Sequence, residues 1–432
     1  AFATFITDNS PTVAPAPDTN IQAATEAARS LLAFFRKNVV SDYDREHDKF
    51  LDTAPRGTPP DLQVEEDLPE GPLSLAPPTQ PEARVFKDLE LLMRRLRYER
   101  TDLTPRQRVM AILLLLRAIP AFRYVLRSPD DLMTKAAKLR VDPQHPPVWT
   151  KQYPVPQAKI AALRQIVTDL LQQGVIEPAE SDWNSPVILV PKKDNTWRFA
   201  VDYRRVNAIT NFDPSPIPNG KLLLHQLRGN LYYSMFDMLS SFWQQLLMKL
   251  DRPITAFSVP GWRQFQWCVV PMGLRNSSQT QQRVMIELLE GLDPEHVMCY
   301  IDDICVATKT FDEHLILLDV LFRRMAAVGL AFKLAKCRLF EREAQYLGHI
   351  VSEQGIRKDP AIQSKISAWP SPSSFATLEE RRSSLRGFLQ TANYYRDFVV
   401  NFTEITAPLS DLTSPKQPWE WTETHELAFK TL

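Results

Sequence analysis

Two adjacent carboxylates at the tip of an apolar hairpin constrain this chain more than any other feature. Val297-Met298-Cys299 leads into Tyr300-Ile301-Asp302-Asp303, and Ile304-Cys305-Val306-Ala307 leads out, so two β-prone runs flank the acidic pair. Asp suits turns, but neighbouring like charges repel unless a cation lies between them. Taken alone, the pair reads as a solvated acidic turn. A third carboxylate changes that balance. Leu231-Tyr-Tyr-Ser-Met-Phe-Asp237-Met is an apolar, aromatic strand ending on Asp237, where burying an unpaired carboxylate costs several kcal/mol. Asp237 could equally cap a helix over 241–247. If its strand lies beside the hairpin, Asp237, Asp302 and Asp303 converge, and three carboxylates together suit a pair of Mg²⁺ ions. Such ions prefer hard oxygen ligands and clamp the attacking and leaving oxygens of an in-line phosphoryl displacement.

The rest of the chain is compatible with an enzyme of that kind. At 432 residues it has room for about two to four domains, and 44% hydrophobic with 24% charged residues excludes disorder over most of its length. Lys+Arg and Asp+Glu are equal at 51 each, so overall charge predicts no polyanion partner, although steering depends on where the charges sit. The four cysteines lack metal-ligand spacing, which argues against a disulfide scaffold or a zinc site and for a reducing compartment. The apolar run from Val109 to Leu116 is too short to span a bilayer. Ala1 and the amphipathic pattern interrupted at Leu432 suggest a piece of something longer.

Proline-rich, polar stretches at 1–20 and 53–81 read as linkers around helices expected at 23–39, 83–100 and 105–117, the last beginning on Thr104-Pro105. Residues 1–150 are therefore expected to be a partly helical, loosely attached extension without a catalytic role. From Gln157 a helix to Gln173 is followed by strands at 187–190, 197–201, 232–238, 254–259, 264–270, 297–300 and 304–307. Helices are expected at 241–247, 279–289, 311–328 and 374–398. Strands interleaved with helices indicate an α+β sheet with helices on one face.

The order of these segments resembles the reverse transcriptase of gypsy-like long-terminal-repeat retrotransposons from about His145 to Leu432. The landmarks are Gly174-Val-Ile-Glu-Pro, the run Asn184 to Asp194, Trp197 to Arg204 with Asn207, Phe236-Asp-Met, Phe257 with Gly261, Pro271 to Asn276, Tyr300-Ile-Asp-Asp, Lys336-Cys337, Tyr346-Leu-Gly-His349 and Asn393-Tyr-Tyr-Arg396. The resemblance implies a right-hand polymerase fold of fingers, palm with antiparallel sheet, and helical thumb. Fingers and palm would span 151–351, the thumb 352–412, and 413–432 the start of an RNase H-like domain. It implies an RNA-directed DNA polymerase that transfers a nucleotide from a dNTP to a primer 3′-OH, with two Mg²⁺ ions for which Mn²⁺ can substitute.

Carried over residue by residue, the resemblance makes Asp237, Asp302 and Asp303 the metal carboxylates and Lys336 a proton donor to the leaving pyrophosphate. Lys192, Lys193 and Arg198 would hold the triphosphate, Phe242 would pack under the sugar, and Met272-Gly273 would stack on the template–nucleotide pair. Tyr300, Leu347, Gly348, His349, Arg386 and Arg396 would meet the primer–template duplex. The implied partners are a primed RNA or DNA template, dNTPs and other parts of a Pol polyprotein, inside the cell and without a membrane. The chain departs from the usual pattern at Ser241 (usually Gly), near Phe242 and Gln244 (a Tyr-His pair), at Met272 (Phe), Ser277-Ser278 (Ala-Pro), Gln281 (Phe) and Gln390 (Gly). Those departures motivate a rival reading, a relic that binds nucleic acid without polymerising.

Overall fold

A computed structural model describes residues 80–191 and 197–432. The helix expected at 23–39 and the linkers around it, together with Lys192 and Lys193, lie outside the described residues. In chain order the elements are α1 (Gln80–Tyr98), α2 (Pro105–Arg117), α3 (Gln157–Gln172), β1 (Ile176–Pro178), β2 (Val187–Pro191), β3 (Trp197–Val201), α4 (Arg204–Ala208), α5 (Gly220–Leu227), β4 (Tyr232–Asp237), β5 (Phe257–Ser258), β6 (Gln264–Trp267) and α6 (Ser277–Leu289). There follow β7 (Val297–Tyr300), β8 (Asp303–Thr308), α7 (Phe311–Ala327), β9 (Arg338–Glu341), β10 (Glu343–Tyr346), β11 (His349–Ser352), β12 (Gly355–Lys358), α8 (Pro360–Ser367), α9 (Leu378–Tyr394), α10 (Phe402–Asp411) and α11 (Glu423–Thr431). Mixed helices and antiparallel pairs make this an α+β fold, the class expected.

The described residues divide into two compact units, one from 80–191 and 197–217 with 234–339, the other from 218–233 with 340–432. In the first, β2 and β3 form an antiparallel ribbon with Val190 opposite Arg198, and β6 lies between β1 and β5. Leu163, Val167, Val175, Phe257, Phe265 and Val269 are fully buried where α3 packs on these strands. The sheet of order β7-β8-β4-β9 carries the acidic residues. Beneath it Phe236, Phe322, Phe332 and Phe122 form an aromatic cluster with centroids 4.7–6.4 Å apart. Alternation along β4 turns Phe236 into this cluster and so presents Asp237 on the other side.

Thr104 caps α2 as expected, its side chain accepting from the Gln107 N–H in a capping box. The expectation of loose attachment does not hold for 84–150. Ala111 and Leu115 of α2 are fully buried, Leu113, Leu114 and Leu116 nearly so, and α2 packs against α7. The Leu113–Leu116 run needs a partner surface around most of the helix, and α7 supplies part of it.

In the second unit β10, β11 and β12 form a meander that sequence periodicity missed. Its helices close on a core of Leu385, Phe388, Leu409, Leu412 and Ala428, with Trp369, Trp419, Trp421 and Phe429 packed against it. α9 starts on a Thr377/Glu380 capping box.

Candidate active site

Register pins the acidic hairpin. Tyr300 pairs with Asp303, leaving Ile301 and Asp302 as a two-residue turn. Ile301 has φ = 63°, a left-handed conformation that turns of this length demand and that Gly or Asn would adopt without strain. For a β-branched residue it costs about 1–3 kcal/mol, so the surroundings must impose it. They do so through Gln282, a buried residue of α6. Its Nε2 donates to the Cys299 carbonyl at 3.2 Å and its Oε1 accepts from the Ile301 N–H at 2.7 Å. One carboxamide thus holds the turn on which Asp302 and Asp303 are displayed.

A second buried glutamine does the same after Asp237. Gln244 Nε2 donates to the carbonyls of Leu239 (2.6 Å) and Ala331 (3.0 Å), and its Oε1 accepts from the Ala331 N–H at 2.6 Å. The Asp237 carbonyl accepts from the Lys333 N–H at 2.9 Å. The expected helix over 241–247 is only a 3-10 turn, Ser241–Gln244, because Leu246 leaves it to bridge Val269.

The three carboxylates influence one another. Burial pushes the Asp303 carboxyl up to about 6, and the charges of Asp302 and then Asp237 push the same way. Burial also raises the Cys299 thiol, helped by Asp302 and Asp303. Ser241 Oγ donates to Asp302 Oδ2 at 3.2 Å. Lys336 Nζ lies 3.1 and 3.0 Å from Asp237 Oδ1 and Oδ2, and both side chains are substantially exposed, at 55% and 39%. Such a pair is worth only about 0.2–1 kcal/mol and exchanges readily. Among the described residues, no group of three His, Cys, Asp or Glu side chains is drawn into metal-holding geometry. The donor set nevertheless fits a hard divalent cation, since all three groups are carboxylates whose mutual repulsion such a charge would relieve.

Other expected site residues lie in the chain's first unit. Phe242 is half-buried in the 3-10 turn, Arg198 is exposed on β3, and Met272 is 52% exposed on a loop where Gly273 has φ = 94°. In the second unit, Tyr346 pairs with His349, so Leu347 and Gly348 form a two-residue turn with φ of 44° and 68°. Tyr394 and Tyr395 donate to the Leu347 and Gly348 carbonyls at 2.7 and 2.8 Å, and the His349 ring lies 5.0–5.7 Å from Tyr394, Tyr395 and Phe398. Arg386 donates to the Thr413 carbonyl, and Arg396 lies over Phe402.

Comparison with known proteins finds relatives of the same segment. Residues 190–351 match the reverse transcriptase (RNA-dependent DNA polymerase) family. The resemblance to gypsy-like retrotransposon Pol polyproteins holds. The chain is 34% identical over 269 residues to the retrovirus-related Pol polyprotein from transposon 297 of Drosophila melanogaster, covering 61% of this chain and 25% of that protein. It is 29% identical over 303 residues to that from transposon gypsy of the same fly, covering 66% and 28%. The chain thus spans about a quarter of the curated relatives it matches. Among solved structures, the foamy viral protease-reverse transcriptase in complex with double-stranded DNA superposes with a TM-score of 0.68 at 26% identity, covering 80% of this chain and 59% of that one. The same viral protein in complex with an RNA/DNA hybrid gives 0.67 at 26%, covering 80% and 45%. Among the described residues no helix is long and apolar enough to cross a membrane.

Sequence reasoning missed Gln282 and Gln244 as supports. It also missed the pair in which Arg204 Nε and Nη2 donate to Asp202 at 2.8 and 2.6 Å, holding that carboxyl well below its usual range. No local signal marks Gln282, because the run Ser277-Ser-Gln-Thr-Gln-Gln-Arg283 around it is polar throughout.

Proposed function

We propose that the chain is an RNA-directed DNA polymerase of a retrotransposon, transferring a nucleotide from a dNTP to a primer 3′-OH. One observation carries the reading: a strained turn, imposed by a buried glutamine, displays Asp302 and Asp303 where Asp237 acts on the Asp303 carboxyl. Strain maintained at this cost marks sites of function more often than of packing. The matches to reverse transcriptases over the same segment support it.

Asp237, Asp302 and Asp303 would hold two divalent ions, Mg²⁺ with Mn²⁺ as substitute. Bound there, such ions would neutralise the cluster and polarise the reacting phosphate oxygens. The chain's own residues orient everything else. Lys336, already beside Asp237, stands ready to give its proton to the departing pyrophosphate. Arg198, with Lys192 and Lys193, would pair with the triphosphate. Phe242 would lie beneath the sugar, and Met272-Gly273 would receive the base pair. Tyr300, the Leu347-Gly348-His349 turn, Arg386 and Arg396 would follow the primer–template duplex. That partner fits the foamy viral protein, solved with double-stranded DNA and with an RNA/DNA hybrid. Residues 151–351 would form fingers and palm, 352–412 the thumb and 413–432 the start of an RNase H-like domain, with 1–150 outside catalysis. The setting would be intracellular, alongside other parts of a Pol polyprotein.

Primer extension on poly(rA)/oligo(dT) with dTTP and Mg²⁺ or Mn²⁺ tests the reading. The chain should extend the primer, and Asp303→Asn should abolish extension without unfolding. Tight binding of the primer–template with no extension under either metal would instead establish the relic.

A further inference from the structure

The loop that carries Met272 is tied at Gly273 and Arg275 by one side chain outside the acidic centre, and its far end is tied by Asn276, which donates to the Asn211 carbonyl and accepts from the Asp213 N–H. Asn207, in the short helix α4, donates from Nδ2 to the Gly273 carbonyl at 2.8 Å and accepts at Oδ1 from the Arg275 N–H at 2.9 Å. A single carboxamide therefore pairs with an acceptor and a donor on the loop, two residues apart, as a neighbouring strand would. The Arg275 guanidinium returns to the α4 side, donating to the Thr210 carbonyl at 3.0 Å and to that of Asn207 at 3.4 Å. From beneath, a Cβ at Gly273 would come within 3.8 Å of the Val201 carbonyl and 3.9 Å of the Tyr203 ring. The loop rests on the end of β3 and is tied down by α4, with Met272 left 52% exposed on top.

We propose that Asn207 is a positioning residue for the nucleotide, setting the height at which the Met272–Gly273 loop meets the incoming base. The proposal rests on the polymerase reading given above. It requires an amide. Aspartate could still accept from Arg275 but would place a carboxylate against the Gly273 carbonyl, and alanine would leave both loop groups without a partner. The loop would then rise from Tyr203. Nucleotide binding would weaken, while the acidic centre, supported separately by Gln282 and Gln244, would keep its geometry.

The experiment compares wild type, Asn207→Ala and Asn207→Asp in steady-state dTTP incorporation on poly(rA)/oligo(dT), with primer–template affinity and thermal melting measured on the same samples. Loss of both hydrogen bonds in Asn207→Ala, or of one with carboxylate–carbonyl repulsion in its place in Asn207→Asp, should cost on the order of tenfold. The KM for dTTP should therefore rise about tenfold in both variants, with kcat within about threefold and primer–template affinity unchanged. Equilibrium binding of dTTP to a dideoxy-terminated primer–template complex should weaken by the same factor, which reads the effect even in a slow variant. Unchanged KM and dTTP affinity in a folded variant would overturn the proposal. So would a fall in kcat and melting temperature with KM constant, which would make Asn207 merely structural. A wild type that incorporates nothing would instead defeat the polymerase reading itself, and this proposal with it.

Discussion

Replacing Gln282 with methionine tests how the acidic hairpin is maintained. The substitution keeps length and approximate volume but removes both the donor to Cys299 and the acceptor for Ile301. The Cys299 carbonyl is buried there and the Ile301 N–H partly so, and each unsatisfied group costs about 1–3 kcal/mol if nothing moves. The turn has a cheaper response. Ile301, at φ = 63°, stores about 1–3 kcal/mol that the glutamine no longer opposes, so the turn relaxes toward ordinary φ. Stability should then fall by only about 1–2 kcal/mol. The carboxylates of Asp302 and Asp303 move with the turn, and a displacement of order 1 Å costs ~100-fold in rate. Single-nucleotide incorporation by Gln282→Met should show kcat lowered by about that factor, with primer–template affinity intact and a modest drop in urea midpoint. Ile301→Gly supplies a control, since glycine adopts the left-handed conformation freely and should recover part of the lost rate in the double variant. A kcat within about twofold of wild type in folded Gln282→Met would refute the clamp.

Three further outcomes follow from other parts of the structure. His314 is fully buried and burial lowers its pKa to about 3, so the unfolded chain binds the extra proton first; stability is complete above about pH 6.5 and declines as pH falls below it, by on the order of 2 kcal/mol between about pH 8 and pH 5. Urea unfolding across that range should show the slope, and His314→Gln should remove it while lowering stability overall. Phe242→Ala should admit ribonucleotides, read as a fall in the kcat/KM ratio of dTTP over UTP, whereas Phe242→Tyr should preserve the ratio; no change in the alanine variant would make the ring core packing only. Gly348→Ala should lower the melting temperature and weaken primer–template binding, because its Cβ would meet the Tyr395 hydroxyl at 2.8 Å and Ile362 at 3.0 Å, at φ = 68°; a variant as stable as wild type would show that the turn yields.

The acidic hairpin was legible because strand patterning is local: apolar β-formers on both sides of Asp302-Asp303 leave only a tight turn between them. Asp237 was legible for the same reason, at the end of an aromatic strand. The clamps were not. Gln282 reaches Ile301 across 19 positions and Gln244 reaches Ala331 across 87, and polar residues on a helix ordinarily read as its wet face. His314 is a similar case. Its Nδ1 faces Thr308, whose hydroxyl already donates to Thr310, so Nδ1 carries the proton and Nε2 accepts from Ser234. Nothing in the run around His314 announces that arrangement. The meander β10–β12 escaped because its strands are four residues long and mix charged with apolar side chains, as in Gly355-Ile-Arg-Lys358. The helix expected over 241–247 failed for a tertiary reason, the bridge between Leu246 and Val269 outweighing a weak helical preference.

The proposed polymerase function requires Asp237, Asp302 and Asp303 to act as one metal-binding centre. Its most direct test is Mn²⁺ titration, followed by electron paramagnetic resonance, of the chain bound to a dideoxy-terminated primer–template with dTTP. Wild type should bind two mutually coupled ions, as expected for metals about 4 Å apart, and Asp302→Asn should lose the coupled signal. Mn²⁺ binding that is identical in wild type and in Asp302→Asn would contradict that requirement.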